Sequence, residues 1–126
     1  MNCLDSDLLI GFLRGDRIAK DCIERAKGNV ATTVINVFEL LYQTGSLSED
    51  KRAAVEGFVS SMNVLPLDME SAAKAADVGH GLAKEGRMID TMDLFIGAIS
   101  MTNSCTLYTR NDKHFSRIAG LAVKKW

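Results

Sequence analysis

Asp5, Glu39, Asp93 and Asp112 are the residues whose types and settings suit them to chemistry. Asp5 ends the short apolar run at residues 1–5, and Asp112 sits just past another at 105–108. Glu39 interrupts Val37-Phe38 and Leu40-Leu41, where a charge is costly unless it faces water or a cation. Asp93 opens the apolar stretch Leu94-Phe95-Ile96. Crowded carboxylates raise one another's pKa unless a cation neutralises them. An oxygen-only donor set suits Mg2+ or Mn2+ rather than zinc. No histidine cluster competes, because the chain holds only His80 and His114. Acids gathered around hard cations are a recurring device for cutting phosphodiesters.

Nearby polar residues have plainer readings. An aspartate after a strand also makes a helix cap, a role open to Asp5. Asp7 reads as the N-cap of the first helix and Asp68 as the cap of a long later one. Asp90 lies one helical turn before Asp93, where it complements the helix dipole. Arg110 belongs either at a scissile phosphate or in solvent. His114, beside Phe115, belongs at the pocket rim or in surface packing.

These acids need elements that bring them together. Short apolar strands are expected at 1–5, 29–33, 63–67 and 105–108, with a shorter fifth at 121–124. Between them, helical spacing predicts a helix from Leu8 that closes at Gly15, and further helices at 16–27, from Thr33 to Gly45, 48–61, 68–85 and 90–101. Pro66 puts the third strand near an edge or a strand end. The alternation implies βαβ units, hence a three-layer α/β/α domain with a central, mostly parallel sheet of four to five strands. Ligands of such sheets bind beyond the carboxyl ends of the strands, which is where Asp5 and Asp112 fall.

At 126 residues the chain fits one domain, 1–126, able to bury its own core. Hydrophobic residues at 47% and charged residues at 25% exclude a disordered chain. No apolar run approaches the roughly 20 residues of a membrane span. No signal peptide is expected, because Asp5 and Asp7 stand where such a segment is basic and then apolar. Cys3, Cys22 and Cys105 are odd in number and form no CxxC pair, so they read as reduced thiols of a cytoplasmic protein.

Four segments resemble the motifs of the PIN-domain family, and more closely those of VapC-type toxins from toxin–antitoxin pairs. Leu4-Asp5-Ser6-Asp7-Leu8-Leu9-Ile10 resembles the first acidic motif. Thr33-Val34-Ile35-Asn36-Val37-Phe38-Glu39-Leu40 resembles the second, and Asp93-Leu94-Phe95-Ile96-Gly97-Ala98 the third. Leu107-Tyr108-Thr109-Arg110-Asn111 with His114-Phe115 resembles the fourth. The resemblance implies a metal-dependent endoribonuclease with an RNA substrate, a protein antitoxin as partner and a homodimeric state. It implies Asp5, Glu39, Asp93 and Asp112 as catalytic and metal-binding residues. Where the family often has an acid in the fourth motif, this chain aligns Asn111 or His114, so Asp112, Asn111 and Asp90 compete to complete the site.

Two other readings exist. Asp5-Ser6-Asp7 also resembles the DxD pair of haloacid-dehalogenase phosphatases, but the hydroxyl residue expected two places later is Leu9. A receiver-like signalling domain would use Asp68 as its phosphorylated residue, but Thr109-Arg110 stands where its lysine belongs.

Overall fold

The structure is a computed structural model that describes residues 1–26 and 28–126. Its strands are β1 (Asn2–Leu4), β2 (Val30–Thr33), β3 (Val64–Leu65), β4 (Thr106–Thr109) and β5 (Ala122–Lys125). Its helices are α1 (Ser6–Leu13), α2 (Arg17–Arg25), α3 (Val34–Thr44), α4 (Glu49–Ser60), α5 (Met69–Lys84), α6 (Thr91–Thr102) and α7 (Asp112–Phe115). The strands form one sheet in the order β3-β2-β1-β4-β5, every pair parallel. Parallel neighbours need crossover connections, and the helices supply them.

Alternation along the strands explains the three layers. Cys3, Ala31 and Leu107 point to one face, where they join Leu82, Ile96 and Ile99 of α5 and α6 in a buried cluster. Their neighbours Leu4, Val30 and Tyr108 point to the other, where Leu8, Leu9, Ala19, Leu40 and Val55 of α1 to α4 pack. Each fully buried leucine stabilises the fold by about 1.5–3 kcal/mol, and Leu4, Leu8, Leu9 and Leu40 are all essentially inaccessible.

The expected α/β/α architecture is therefore the observed one, with the sheet wholly parallel. Pro66 follows a β3 of only two residues at the sheet edge, since a residue without an N–H cannot continue the ladder. The expected end of the second helix at Lys27 lies outside the described residues. The four-residue α7 is absent from the sequence-based expectation, being too short to show a period.

The cap of α1 is a correction. Helical backbone begins at Ser6, so Asp5, not Asp7, is the N-cap, with extended φ −72° and ψ 159° and its carboxylate accepting from Ser6 N. Asp7 falls in the first turn. Asp68 caps α5 as expected.

Candidate active site

The strand order reverses between β1 and β4: β2 and β3 lie on one side of β1, β4 and β5 on the other. A crevice opens at such a switch point, beyond the carboxyl ends of the strands. Leu4 pairs with Tyr108, so Asp5 and Thr109 leave the two strands side by side. The Thr109 hydroxyl donates to Asp5 Oδ2 at 2.5 Å, and Asn111 N donates to that hydroxyl at 2.9 Å.

Asp5 Oδ1 faces α3. Asn36 Nδ2 donates to it at 2.7 Å, and Ser6 N at 2.9 Å. The amide of Asn36 is itself fixed, because its oxygen accepts from the Thr33 hydroxyl at 2.7 Å within a capping box that starts α3. One turn further on, Glu39 Oε1 accepts from the Ser6 hydroxyl at 2.6 Å. Thr33, Asn36 and Ser6 thus tie Asp5 and Glu39 into one network, with Thr33 and Asn36 fully buried.

Asp93 enters from the first turn of α6. Its Oδ2 accepts from Asn111 Nδ2 and lies 3.3 Å from His114 Nδ1. Asp5, Glu39 and Asp93, with Asp7, Asp16, Arg14 and Arg110, line a cavity of about 520 Å3. The structure therefore brings together three of the four acids singled out in the sequence. Asp112 is not among the residues lining the cavity; its carboxylate lies 3.7 Å from Lys125 Nζ. Asn111 lines the cavity in its place. Asp90 is the N-cap residue of α6 without a side-chain capping bond, and His114 Nδ1 lies within hydrogen-bond distance of Asp93 and Asn111 without lining the cavity.

The electrostatics of the cavity disfavour three charges. Burial pushes the Asp5 carboxyl up to about 6, against the Thr109 hydrogen bond and with help from Asp7 and Glu39. Burial likewise raises Glu39, with Asp93 and Asp90 adding repulsion, and raises Asp93, with Asp90 adding to it. Such a set holds protons or a cation. Among the described residues no three acids, histidines or cysteines form a ready-made metal cage. The donors nonetheless fit a hard divalent ion, since all are oxygens and Mg2+ is usually held through one or two carboxylates while keeping several waters.

Ser6, Asn36, Thr109 and Trp126 belong to the site without having been singled out in the sequence. Asn36 left a signal: it stands three residues after the capping Thr33 and three before Glu39, on one helical face. Ser6 and Thr109 left only their adjacency to Asp5 and Arg110. Trp126 left none, because its partner Asp7 lies at the opposite end of the sequence.

A family profile described as PIN domain matches residues 3–121. The tRNA(fMet)-specific endonuclease VapC of Shigella flexneri is 28% identical over 102 residues, covering 79% of this chain and 77% of that protein. Among solved structures, VapBC2 of Rickettsia felis bound to a promoter DNA fragment superposes with TM-score 0.90, covering 99% and 98% of the two chains at 21% identity. VapBC-5 of Mycobacterium tuberculosis, a member of the VapBC family of toxin-antitoxin systems, superposes at 0.70, covering 98% and 95% at 26% identity. With the fold, the acid pocket and a match spanning nearly its whole length in agreement, this chain belongs to the PIN domain family.

Proposed function

We propose that this protein is a divalent-metal-dependent endoribonuclease, the toxin of a toxin–antitoxin pair, acting on RNA in the cytoplasm. The observation that supports it most is the meeting of Asp5, Glu39 and Asp93, from three separate elements, in one cavity at the sheet's switch point. The Shigella flexneri relative is a tRNA(fMet)-specific endonuclease. The phosphatase and receiver alternatives find no support in the family match.

Asp5 and Asp93 are the residues we assign to hold Mg2+ or Mn2+, with Asn111 rather than Asp112 completing the site. A divalent ion there supplies Lewis-acid stabilisation of the charge that develops on the phosphodiester. Glu39 has Oε1 engaged by Ser6, which leaves Oε2 to accept a proton from the attacking water. Its raised pKa brings it closer to the range of an effective general base. Thr109, Asn36 and Ser6 hold the carboxylates in place and need not move during the reaction.

The antitoxin has a candidate seat. Val34, Phe38, Leu41 and Tyr42 form an exposed apolar stripe on α3. On the same helix, Leu40 joins Ile10, Leu13, Leu47 and Val55 in lining a groove of about 430 Å3 between α1, α3 and α4. Ile10, Arg14 and Gln43 border both this groove and the acid cavity. A segment seated in the groove thus ends at the active site, which is how binding would silence cleavage.

The test is incubation of purified protein with single-stranded RNA and MgCl2, then with excess EDTA. Cleavage is expected in the first and its loss in the second. Cleavage that persists undiminished in EDTA overturns the metal-dependent reading.

A further inference from the structure

Asp7 and Trp126 line the acid cavity, yet neither has a part in the cleavage chemistry proposed above. Both oxygens of Asp7 are engaged. Trp126 Nε1 donates to Oδ1 at 2.9 Å and Arg110 N donates to Oδ2 at 2.9 Å. Trp126 and Arg110 also meet each other twice. The guanidinium carbon stands 3.6 Å from the centroid of the indole ring, and Arg110 Nε donates to the Trp126 main-chain oxygen at 3.3 Å. Gly11 makes room for the ring, since a β carbon there would lie 3.0 Å from Trp126 Cη2. Three distant parts of the chain, in α1, after β4 and after β5, close into one clasp at the cavity rim.

The clasp has a consequence for Arg110. An arginine side chain in solvent samples many rotamers and loses that freedom on binding a ligand. Here stacking and the Nε bond hold the guanidinium in advance. Among the described residues neither Nη nitrogen has a hydrogen-bond or ion-pair partner. Two NH2 groups therefore remain as a fork, the geometry that matches a phosphate. The cavity needs such a group: Asp5, Asp7, Asp16, Glu39 and Asp93 all line it, and their combined field repels a polyanion.

We propose that Asp7 and Trp126 are positioning residues that aim Arg110 at a backbone phosphate of the RNA strand in the cavity. This rests on the ribonuclease reading above. Arg110 binds the strand, and Trp126 acts through Arg110.

The experiment is steady-state cleavage of a single-stranded oligoribonucleotide by the full chain and by Arg110→Ala, Trp126→Ala, Trp126→Phe and the Arg110→Ala/Trp126→Ala double variant. Arg14→Ala, which removes another cation from the same cavity, is the comparison. Arg110→Ala is expected to raise KM about tenfold with kcat within about twofold, as for loss of binding common to ground and transition states. Trp126→Ala is expected to raise KM nearly as much, and the double variant no more than Arg110→Ala alone. Trp126→Phe keeps an aromatic face and is expected to recover most of the loss. Both alanine variants should flatten the slope of log KM against log salt by about 0.7, the share of one phosphate contact on a single strand. Arg14→Ala should instead multiply with Trp126→Ala.

The clasp is overturned, with the ribonuclease reading intact, if Trp126→Ala and Arg110→Ala multiply. It is equally overturned if folded Trp126→Ala or Trp126→Phe lowers kcat at unchanged KM, or if Arg110→Ala cleaves with wild-type KM. A folded wild-type protein that cleaves no RNA overturns both.

Discussion

Asp5 is the residue on which cavity chemistry and fold stability meet. Its folded-state pKa of about 6 stands above the 3.8 of an ordinary aspartate, chiefly through burial. The native protein thus binds a proton over a pH range where the unfolded chain does not. Stability from this group is fully present below about pH 4 and is lost as pH rises through about 6, by on the order of 3 kcal/mol. Thermal melts in EDTA are expected to show that decline, and Asp5→Asn is expected to flatten it. Melts of Asp5→Asn that keep the full decline would remove Asp5 as its source. A divalent cation should offset the loss, so Mg2+ should raise the melting temperature more near neutral pH than at about pH 4.5, where the Asp5 carboxyl holds a proton.

At the scale of elements, two helix caps separate positioning from stability alone. Thr33 caps α3 and also fixes Asn36, which holds Asp5. Asp68 caps α5 through Ser71, and neither residue lines the acid cavity. Replacing either cap with alanine is expected to cost about 1 kcal/mol in denaturant unfolding. Only Thr33→Ala should also lower RNA cleavage; an equal loss in Asp68→Ala would contradict the positioning network. The same elements show what the sequence made legible. Strands and long helices announced themselves by apolar period, and Glu39 by a charge set among apolar residues. That Asp112 lies outside the cavity lining was not legible, because a four-residue helix decides its direction and a turn that short leaves no period. Asn36 and Thr109 escaped because small polar residues read as caps until a sheet brings them against a carboxylate 31 or 104 residues away.

For the whole molecule, an all-parallel sheet whose strand order reverses at β1 gathers Asp5 from the end of β1, Glu39 from α3 and Asp93 from α6 at one edge. The apolar groove and the acid cavity share Ile10, Arg14 and Gln43, and on the function proposed above an antitoxin segment in that groove reaches the acids. Phe38→Asp and Tyr42→Asp, both at exposed positions on α3, are expected to keep RNA cleavage while losing inhibition by the cognate antitoxin, measured by adding that protein to the cleavage assay. Inhibition unchanged in both variants would remove the exposed α3 stripe from the antitoxin seat. The acid cavity's role in cleavage is tested by single-turnover cleavage of single-stranded RNA in Mg2+ by the wild-type chain and by Asp5→Asn, with circular dichroism confirming that both are folded. The expected result is cleavage by the wild type and a loss of at least about 100-fold in the variant, the scale of removing a group that serves charge development in the transition state. A folded Asp5→Asn protein that cuts RNA at the wild-type rate would contradict it.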